Sequence, residues 1–446
     1  MFEQRRTRAM ERMVENSGMI LFAGREKTRI HDTHYVFRQE NRFLYMTGFP
    51  EPDAVALILP NHPEHKFVLF VRKRDKDMEI WNGRRFGPEG AVEKFGACKA
   101  FDLEEIEEKL PEYLQDIETL YHSWGADAKN DQRLAGWLRK VRMKVRKGFE
   151  APSKFIELST LVDEMRLIKD EGDLVPMRKA AQLSMQAFRH GIKFTEAGLN
   201  ERQVQSEMEH YCRMRGSPAQ AYNSIVAGGE NATILHYNEN DMQLNDGEML
   251  LVDFGCEIDG YASDITRTWP VNGKFTEDQK IIYDLVLKSQ QAAIDTLQVG
   301  RDIHEMYVVS CEVIAQGLID LGILGRDAKT HALIATGDDT ETELEEDEPR
   351  LRDFYMHGCG HWIGMDVHDC GAYRPKKEWR KLEEGMCTTV EPGLYFSKNN
   401  KHAPERFHGI GIRIEDDVLV TKDGPVILTE GLPRTSEEVE ACWKNG

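Results

Sequence analysis

Nowhere in its 446 residues does the chain hold the roughly 20 consecutive apolar residues that a membrane-spanning helix requires. The opening Met1-Phe2-Glu3-Gln4-Arg5-Arg6 is charged and amphipathic. No apolar core follows it, so no secretory leader is expected. Basic residues are in deficit: 58 Lys and Arg stand against 77 Asp and Glu, for a net charge of −19. That balance argues against nucleic acid and anionic membrane as partners. The eight cysteines, from Cys98 to Cys442, have no pairing rhythm. Reduced thiols and a cytoplasmic setting are therefore expected. There is no HExxH pair and no Walker A loop, and Gly358-x-Gly360 lacks the third glycine of a dinucleotide fingerprint. No period of roughly 20 to 50 residues marks a repeat array.

What is present is an ordinary globular composition, 40% hydrophobic and 30% charged, long enough for two domains. Residues 1–165 read as a mixed α/β domain, with strands expected at 19–23, 54–59, 66–71 and 119–121. A helix is expected over 103–110, with Asp102 and Glu105 as a capping box and Pro111 as its stop or kink. Around 161–173 the texture turns charged and helical, so the boundary is set there and residues 166–446 form the second domain. Its helices are signalled by the stripe Met177, Ala180, Ala181 and Phe188. Two capping boxes add to that: Asn200 with Gln203, and Thr276 with Gln279 ahead of 281–297. The acidic run 337–349 reads as a solvated loop, with a calcium site as the lesser reading.

The apolar run Met249-Leu250-Leu251-Val252 ends on Asp253, and an ionised carboxylate is costly to bury unless it is paired or holds a metal. Asp259-Gly260 is a two-residue hairpin signal. A turn there sets Asp253 opposite Thr266 and Asp264 opposite Gly255, which puts both carboxylates on one face. A solvent-facing hairpin with two unrelated aspartates is the alternative. Downstream, His357, His361 and His368 fall within twelve glycine-rich residues. Neutral imidazole is a common metal ligand and proton shuttle. Glu391 ends a strand-like run at Pro392-Gly393, and Ile410 to Glu415 alternates so that Arg413 and Glu415 share a face. A surface ion pair is the plain reading of those two.

Four carboxylates (Asp253, Asp264, Glu391, Glu415) and an imidazole could not sit together ionised without cations. Two divalent ions would balance them. Many oxygens with one nitrogen favour Mn²⁺ ahead of Zn²⁺, with Co²⁺ or Fe²⁺ also compatible. A structural zinc site from Cys359, His361, His368 and Cys370 is disfavoured, because Cys359-x-His361 is too tight for tetrahedral geometry.

These residues resemble the pita-bread metallopeptidases, and within them aminopeptidase P (Xaa-Pro aminopeptidase). The matching pieces are Ile234-Leu235-His236-Tyr237, Asp253-Phe254-Gly255 with Asp264, and His357-x-x-x-His361 with His368. Val390-Glu391-Pro392-Gly393 and Gly411-Ile412-Arg413-Ile414-Glu415 complete the set. Residues 43–49 and 79–85 look like the family's N-terminal segments.

The resemblance implies an α+β chain, with a pita-bread catalytic domain behind a smaller mixed α/β N-terminal domain. It implies two divalent ions, Mn²⁺ being usual. Asp253 would chelate one, His361 and Glu391 the other, and Asp264 and Glu415 would bridge. His236, His357 and His368 would line the site and stabilise the scissile carbonyl. Glu391 would carry protons, and Arg413 would brace the carboxylates. Trp81 would wall the substrate pocket across a subunit contact, or else pack the first domain's core. The implied reaction is hydroxide attack on an Xaa-Pro bond that releases the first residue, on peptides with proline second, in a homo-oligomer (dimer or tetramer). A prolidase is the nearest alternative. Metal-free creatine hydrolases and non-catalytic binding proteins of this fold have lost metal ligands that stand here. The acidic insert is longer than the family pattern leads one to expect.

Overall fold

The computed structural model describes residues 1–342 and 344–444. The chain forms two compact units, Met1–Arg166 and Leu167–Gly446. In the first, six strands make one mixed sheet in the order Lys99–Asp102, Phe67–Val71, Val55–Ile58, Ser17–Phe22, Thr119–Tyr121 and Lys154–Ile156. Val55–Ile58 and Phe67–Val71 are buried at every position, as apolar runs without alternation must be. The four expected strands are present. The two unforeseen ones, Lys99–Asp102 and Lys154–Ile156, are the sheet's edges, where polar side chains meet water and no apolar run is needed.

The capping box of Asp102 and Glu105 forms, on a single 3₁₀ turn that leads into the helix Ile106–Tyr113. Pro111 does not end that helix but lies inside it. A proline has no N–H to give the carbonyl four residues back. Here that carbonyl, on Glu107, accepts from Lys140 Nζ at 2.8 Å instead.

The second unit is α+β, as expected. Ile225–Gly228, Met249–Phe254 and Ile265–Pro270 form an antiparallel sheet. Cys387–Val390, Asp416–Thr421 and Gly424–Ile427 form another, and Gly393–Phe396 pairs with Ile410–Arg413. The helices Glu171–Phe194, Glu201–Arg213 and Glu277–Asp295 all start on capping boxes, the last two on the expected residues. Ala180, Phe188, Ile282 and Val286 from these helices join Leu250, Val252 and Phe254 in the main core. Leu251 packs on the opposite face with Ile225 and Tyr395. The central strand is therefore covered on both sides, and Asp253 shares the face of Leu251.

Asp259 and Gly260 both adopt positive φ (51° and 83°), and the ladder sets Asp253 opposite Thr266 and Glu257 opposite Ala262. Only at Gly255 does the ladder open. A Cβ there would lie 1.8 Å from the Ser263 carbonyl oxygen, so glycine is required. Asp264 N–H then donates to Asp417 Oδ2 (3.2 Å) instead of pairing across the hairpin.

The acidic run is a surface segment tethered by ion pairs: Glu348 with Arg326 (2.5 Å) and Asp347 with Lys401 (2.5 Å). Its Glu343 lies outside the described residues. Among the described residues no helix is long and apolar enough to cross a membrane.

Candidate metal centre

A cavity of about 690 Å³ in the second unit gathers Asp253, Asp264, Glu391, Glu415, Arg413 and the histidines 236, 357, 361 and 368. Each acid is delivered by a strand end. Glu415 follows Ile410–Arg413, and its N–H donates to the Thr266 carbonyl (3.0 Å), which locks it against the strand after Asp264. Glu391 follows Cys387–Val390, and its N–H donates to the Cys359 carbonyl (2.8 Å). His361 is zipped to the same strand: its N–H meets Thr389 Oγ1 (3.1 Å), and its carbonyl accepts from Thr389 N–H (2.8 Å). That approach explains Gly360, where a Cβ would lie 2.1 Å from the Thr389 carbonyl oxygen.

His361 Nδ1 donates to the Trp362 carbonyl (3.1 Å), so when the ring is neutral its lone pair is on Nε2. That nitrogen lies 3.4 Å from Asp264 Oδ2 and 3.8 Å from Glu391 Oε1. Ligand atoms of Asp264, His361 and Glu415 all fall within 4.8 Å of one another. Oxygen-rich coordination with one imidazole suits a hard or borderline divalent metal, so the donor set fits the expected ion type.

Arg413 is not paired with Glu415. Its Nη2 donates to Asp253 Oδ2 (2.7 Å), Nη1 to the Tyr395 hydroxyl (3.0 Å) and Nε to Thr266 Oγ1 (3.2 Å). Thr266 in turn donates to Glu415 Oε2 (2.6 Å). Arg413 and Glu415 are 4% and 1% exposed, so the surface-pair reading fails; Asp264 is 5% exposed, so the solvent-facing hairpin fails too. The Tyr222 hydroxyl lies 2.6 Å from Asp253 Oδ1 and 2.5 Å from Asp264 Oδ1, and its single proton serves one of the two at a time. Burial lifts the carboxyls of Asp253, Glu391 and Glu415, and neighbouring acids add to the lift. Glu391 reaches about 7 even though His361 and Arg413 oppose the shift. Burial works against protonating His361, but its hydrogen bond to Asp264 and the charge of Glu391 raise it to about 9. A pocket that forces acids towards neutrality is one that gains from bound cations.

His357 differs from His361. Nδ1 donates to the Gly358 carbonyl (2.7 Å), and Nε2 accepts from the Tyr395 hydroxyl (2.7 Å). Both nitrogens are engaged, and burial together with Arg413 lowers its pKa to about 3. His368 packs edge-on against His361, with ring centroids 4.1 Å apart. His236 lines the cavity and is exposed. Trp81 belongs to the first unit, on the helix Lys76–Asn82, and is 83% exposed, so it does not pack that unit's core.

Tyr222, Tyr395 and Thr266 were not foreseen as site residues. Hairpin register alone could have flagged Thr266, which lies opposite Asp253. Tyr222 sits in a loop with no sequence signal.

The family model described as metallopeptidase family M24 matches residues 176–422, and that of the aminopeptidase P N-terminal domain matches residues 2–121. The chain is 40% identical to the Xaa-Pro aminopeptidase of Haemophilus influenzae, covering 98% of this chain and 96% of that one. To the Xaa-Pro aminopeptidase of Escherichia coli it is 39% identical, over 99% and 96% of the two chains. The solved structure of Pseudomonas aeruginosa aminopeptidase PepP superposes with a TM-score of 0.94 at 42% identity, over 100% of this chain and 97% of that one. Zinc-substituted E. coli aminopeptidase P in complex with product gives 0.92 at 39%, over 100% and 98%. With an α+β catalytic unit of the pita-bread type behind an aminopeptidase P N-terminal domain, the chain belongs to metallopeptidase family M24, in its aminopeptidase P group.

Proposed function

We propose that the chain hydrolyses the first peptide bond of substrates with proline in second place, releasing the first residue. The observation that carries this reading is the convergence of Asp264, His361 and Glu415 within 4.8 Å, in a cavity that also holds Asp253 and Glu391. Asp253, Asp264, His361, Glu391 and Glu415 would hold two divalent ions, with Mn²⁺ favoured by the donor set. When bound, such a pair activates water near neutral pH and stabilises the developing oxyanion.

The chain's own residues do the rest. Arg413 and Tyr222 fix Asp253 in orientation, and Thr266 fixes Glu415. Glu391, at the cavity wall beside His361, is placed to take and return a proton. The leaving proline nitrogen is a tertiary amide with no N–H, so it needs a delivered proton. His236 and His368 line the cavity as groups that can orient the substrate carbonyl. The chain Arg413–Tyr395–His357 holds His357 neutral beside Glu391, 3.9 Å away. Residues 1–165 and 166–446 would serve as its two working domains, in a cytoplasmic homo-oligomer. The exposed Trp81 would be free to wall a neighbouring subunit's pocket.

The test is hydrolysis of Xaa-Pro dipeptides and Xaa-Pro-Yaa peptides after chelation, with and without added Mn²⁺. Metal-dependent cleavage of the longer peptides is expected. Cleavage of dipeptides alone would convert the reading to a prolidase, and no cleavage of either would sink it.

A further inference from the structure

One buried carboxylate of the second unit does not line the catalytic cavity and takes no part in the reaction proposed above. Glu201, the first residue of the helix Glu201–Arg213, is 0% exposed and makes no ion pair among the described residues. A carboxylate so placed is costly unless its oxygens are hydrogen-bonded. Here they are saturated. Oε1 accepts from Gly228 N–H (2.8 Å) and Asn231 Nδ2 (3.1 Å), and Oε2 accepts from the Tyr237 hydroxyl (2.8 Å) and Met242 N–H (2.9 Å). These donors fill the roughly four lone-pair sites that a carboxylate offers.

All of the donors lie on one stretch of chain. It leaves the strand Ile225–Gly228, passes the 3₁₀ turn Gly229–Thr233 and runs on to Met242, and from Leu235 to Asp241 it belongs to no helix or strand. Its course is therefore set by side-chain ties rather than by a backbone ladder. Glu201 ties its start, its middle and its end to one point. The flanking residues reinforce the end: Asn200 Nδ2 donates to the Asp241 carbonyl (2.5 Å), and Arg202 Nη2 to the Glu239 carbonyl (2.8 Å). The middle tie is the one that reaches the site. Tyr237 is 5% exposed and packs with Ile225, Leu251 and Tyr395. It stands between His236 and Asn238, which both line the catalytic cavity, and Asn238 Nδ2 donates to the His236 carbonyl (2.8 Å).

We propose that Glu201 is a positioning residue for the reaction: by holding the Tyr237 hydroxyl and both ends of the stretch 228–242, it sets the place of His236 in the cavity. The role needs a carboxylate. A backbone N–H, which can only donate, faces each oxygen, Gly228 on one and Met242 on the other. The amide of a glutamine would therefore set its own N–H groups against a donor whichever way it turned. The inference rests on the Xaa-Pro reading, in which His236 orients the substrate carbonyl, but one arm of its test needs no substrate.

In the first arm, the Mn²⁺-loaded full chain is assayed on Ala-Pro-Ala as wild type, Glu201→Gln, His236→Ala and the double variant. Glu201→Gln is expected to lower kcat about tenfold and to change KM by less than about twofold, as a small misplacement of an orienting group does. In the His236→Ala background the same substitution is expected to change kcat by less than about twofold, because the group it places is gone. An unchanged kcat in Glu201→Gln overturns the proposal. So does a loss of the same size in the absence of His236, which would mark a purely structural role. Should Glu201→Gln not fold, Tyr237→Phe deletes the middle tie alone and is read in the same way, with about a threefold loss expected. The second arm is ¹³C-histidine NMR of the chelated chain. The His236 signal, identified by its absence from His236→Ala, is expected to shift or broaden in Glu201→Gln (or Tyr237→Phe), while those of His62 and His65 in the first unit stay in place. An unmoved His236 signal overturns the proposal. A wild type that cleaves no Xaa-Pro peptide overturns the Xaa-Pro reading, and the NMR arm still decides whether Glu201 places His236.

Discussion

Arg413→Met removes the guanidinium that faces Asp253 and leaves the side chain's volume nearly unchanged. Three hydrogen bonds go: the charged one to Asp253 (2.7 Å) and those to Tyr395 (3.0 Å) and Thr266 (3.2 Å). A hydrogen bond between two charged groups contributes about 2 kcal/mol and one from the guanidinium to a hydroxyl about 1 kcal/mol, so about 4 kcal/mol is at stake. Stranding one partner of a buried ion pair has a cost of the same size. The loss should depend on metal. Among the described residues Asp253 pairs with no other cation, so in the chelated protein the whole penalty appears. With divalent ions bound, the carboxylate is compensated and about half should remain. At about 2–4 °C per kcal/mol for a unit of this size, the melting midpoint should fall about 8–16 °C after chelation, and about half as far with Mn²⁺ present. Differential scanning calorimetry of wild type and variant, each with and without metal, reads this directly. An equal drop in both conditions would refute the reasoning, since it would show that metal and guanidinium do not share Asp253.

Asp264→Ala and Glu415→Ala should each abolish peptide hydrolysis, because each removes one of the three converging ligands. Near wild-type turnover of either with Mn²⁺ supplied would contradict the assignment. The pH dependence of stability follows from shifts of one sign. Glu391 is raised from 4.5 to about 7, and His361 from 6.5 to about 9, so the folded state binds protons more tightly than the unfolded one. The stability from these groups is full at low pH. Denaturant melts of the chelated protein should therefore show it falling as pH rises from about 4.5 to about 9. Added metal should flatten that slope, and a slope of opposite sign would count against the burial argument. Lys169→Met should cost about 3–5 kcal/mol. It takes from Asp369 the ammonium with which it forms a 2.9 Å ion pair, the side chains both 1% exposed. The double variant Lys169→Met, Asp369→Leu should recover most of that in urea melts, and no recovery would mean the pair is not what the site needs.

The elements legible in the sequence were those with a local cause. Asp259-Gly260 dictates its own turn, and from that turn period-two alternation brings Asp253 opposite Thr266 with no further information. Capping boxes at Asn200 and Thr276 are likewise written within four residues. What escaped depended on distant partners. Nothing within the strand Ile410–Arg413 says that Arg413 turns to Asp253, 160 positions away, and leaves Glu415 to Thr266. Tyr222 has its significance only because two aspartates on another hairpin converge on its hydroxyl. Pro111 misled because the compensation for its missing N–H comes from Lys140 on another helix. Alternation showed correctly that Arg413 and Glu415 share a face. Whether that face meets water or a second layer depends on the whole fold, and here it is buried.

The most direct test of the two-ion account is a titration of the chelated protein with Mn²⁺, following metal content and hydrolysis of an Xaa-Pro-Yaa tripeptide together. The account predicts no activity without metal and a rise that saturates with two ions bound per chain. Full activity in the metal-free protein, or saturation at a single ion, would contradict it.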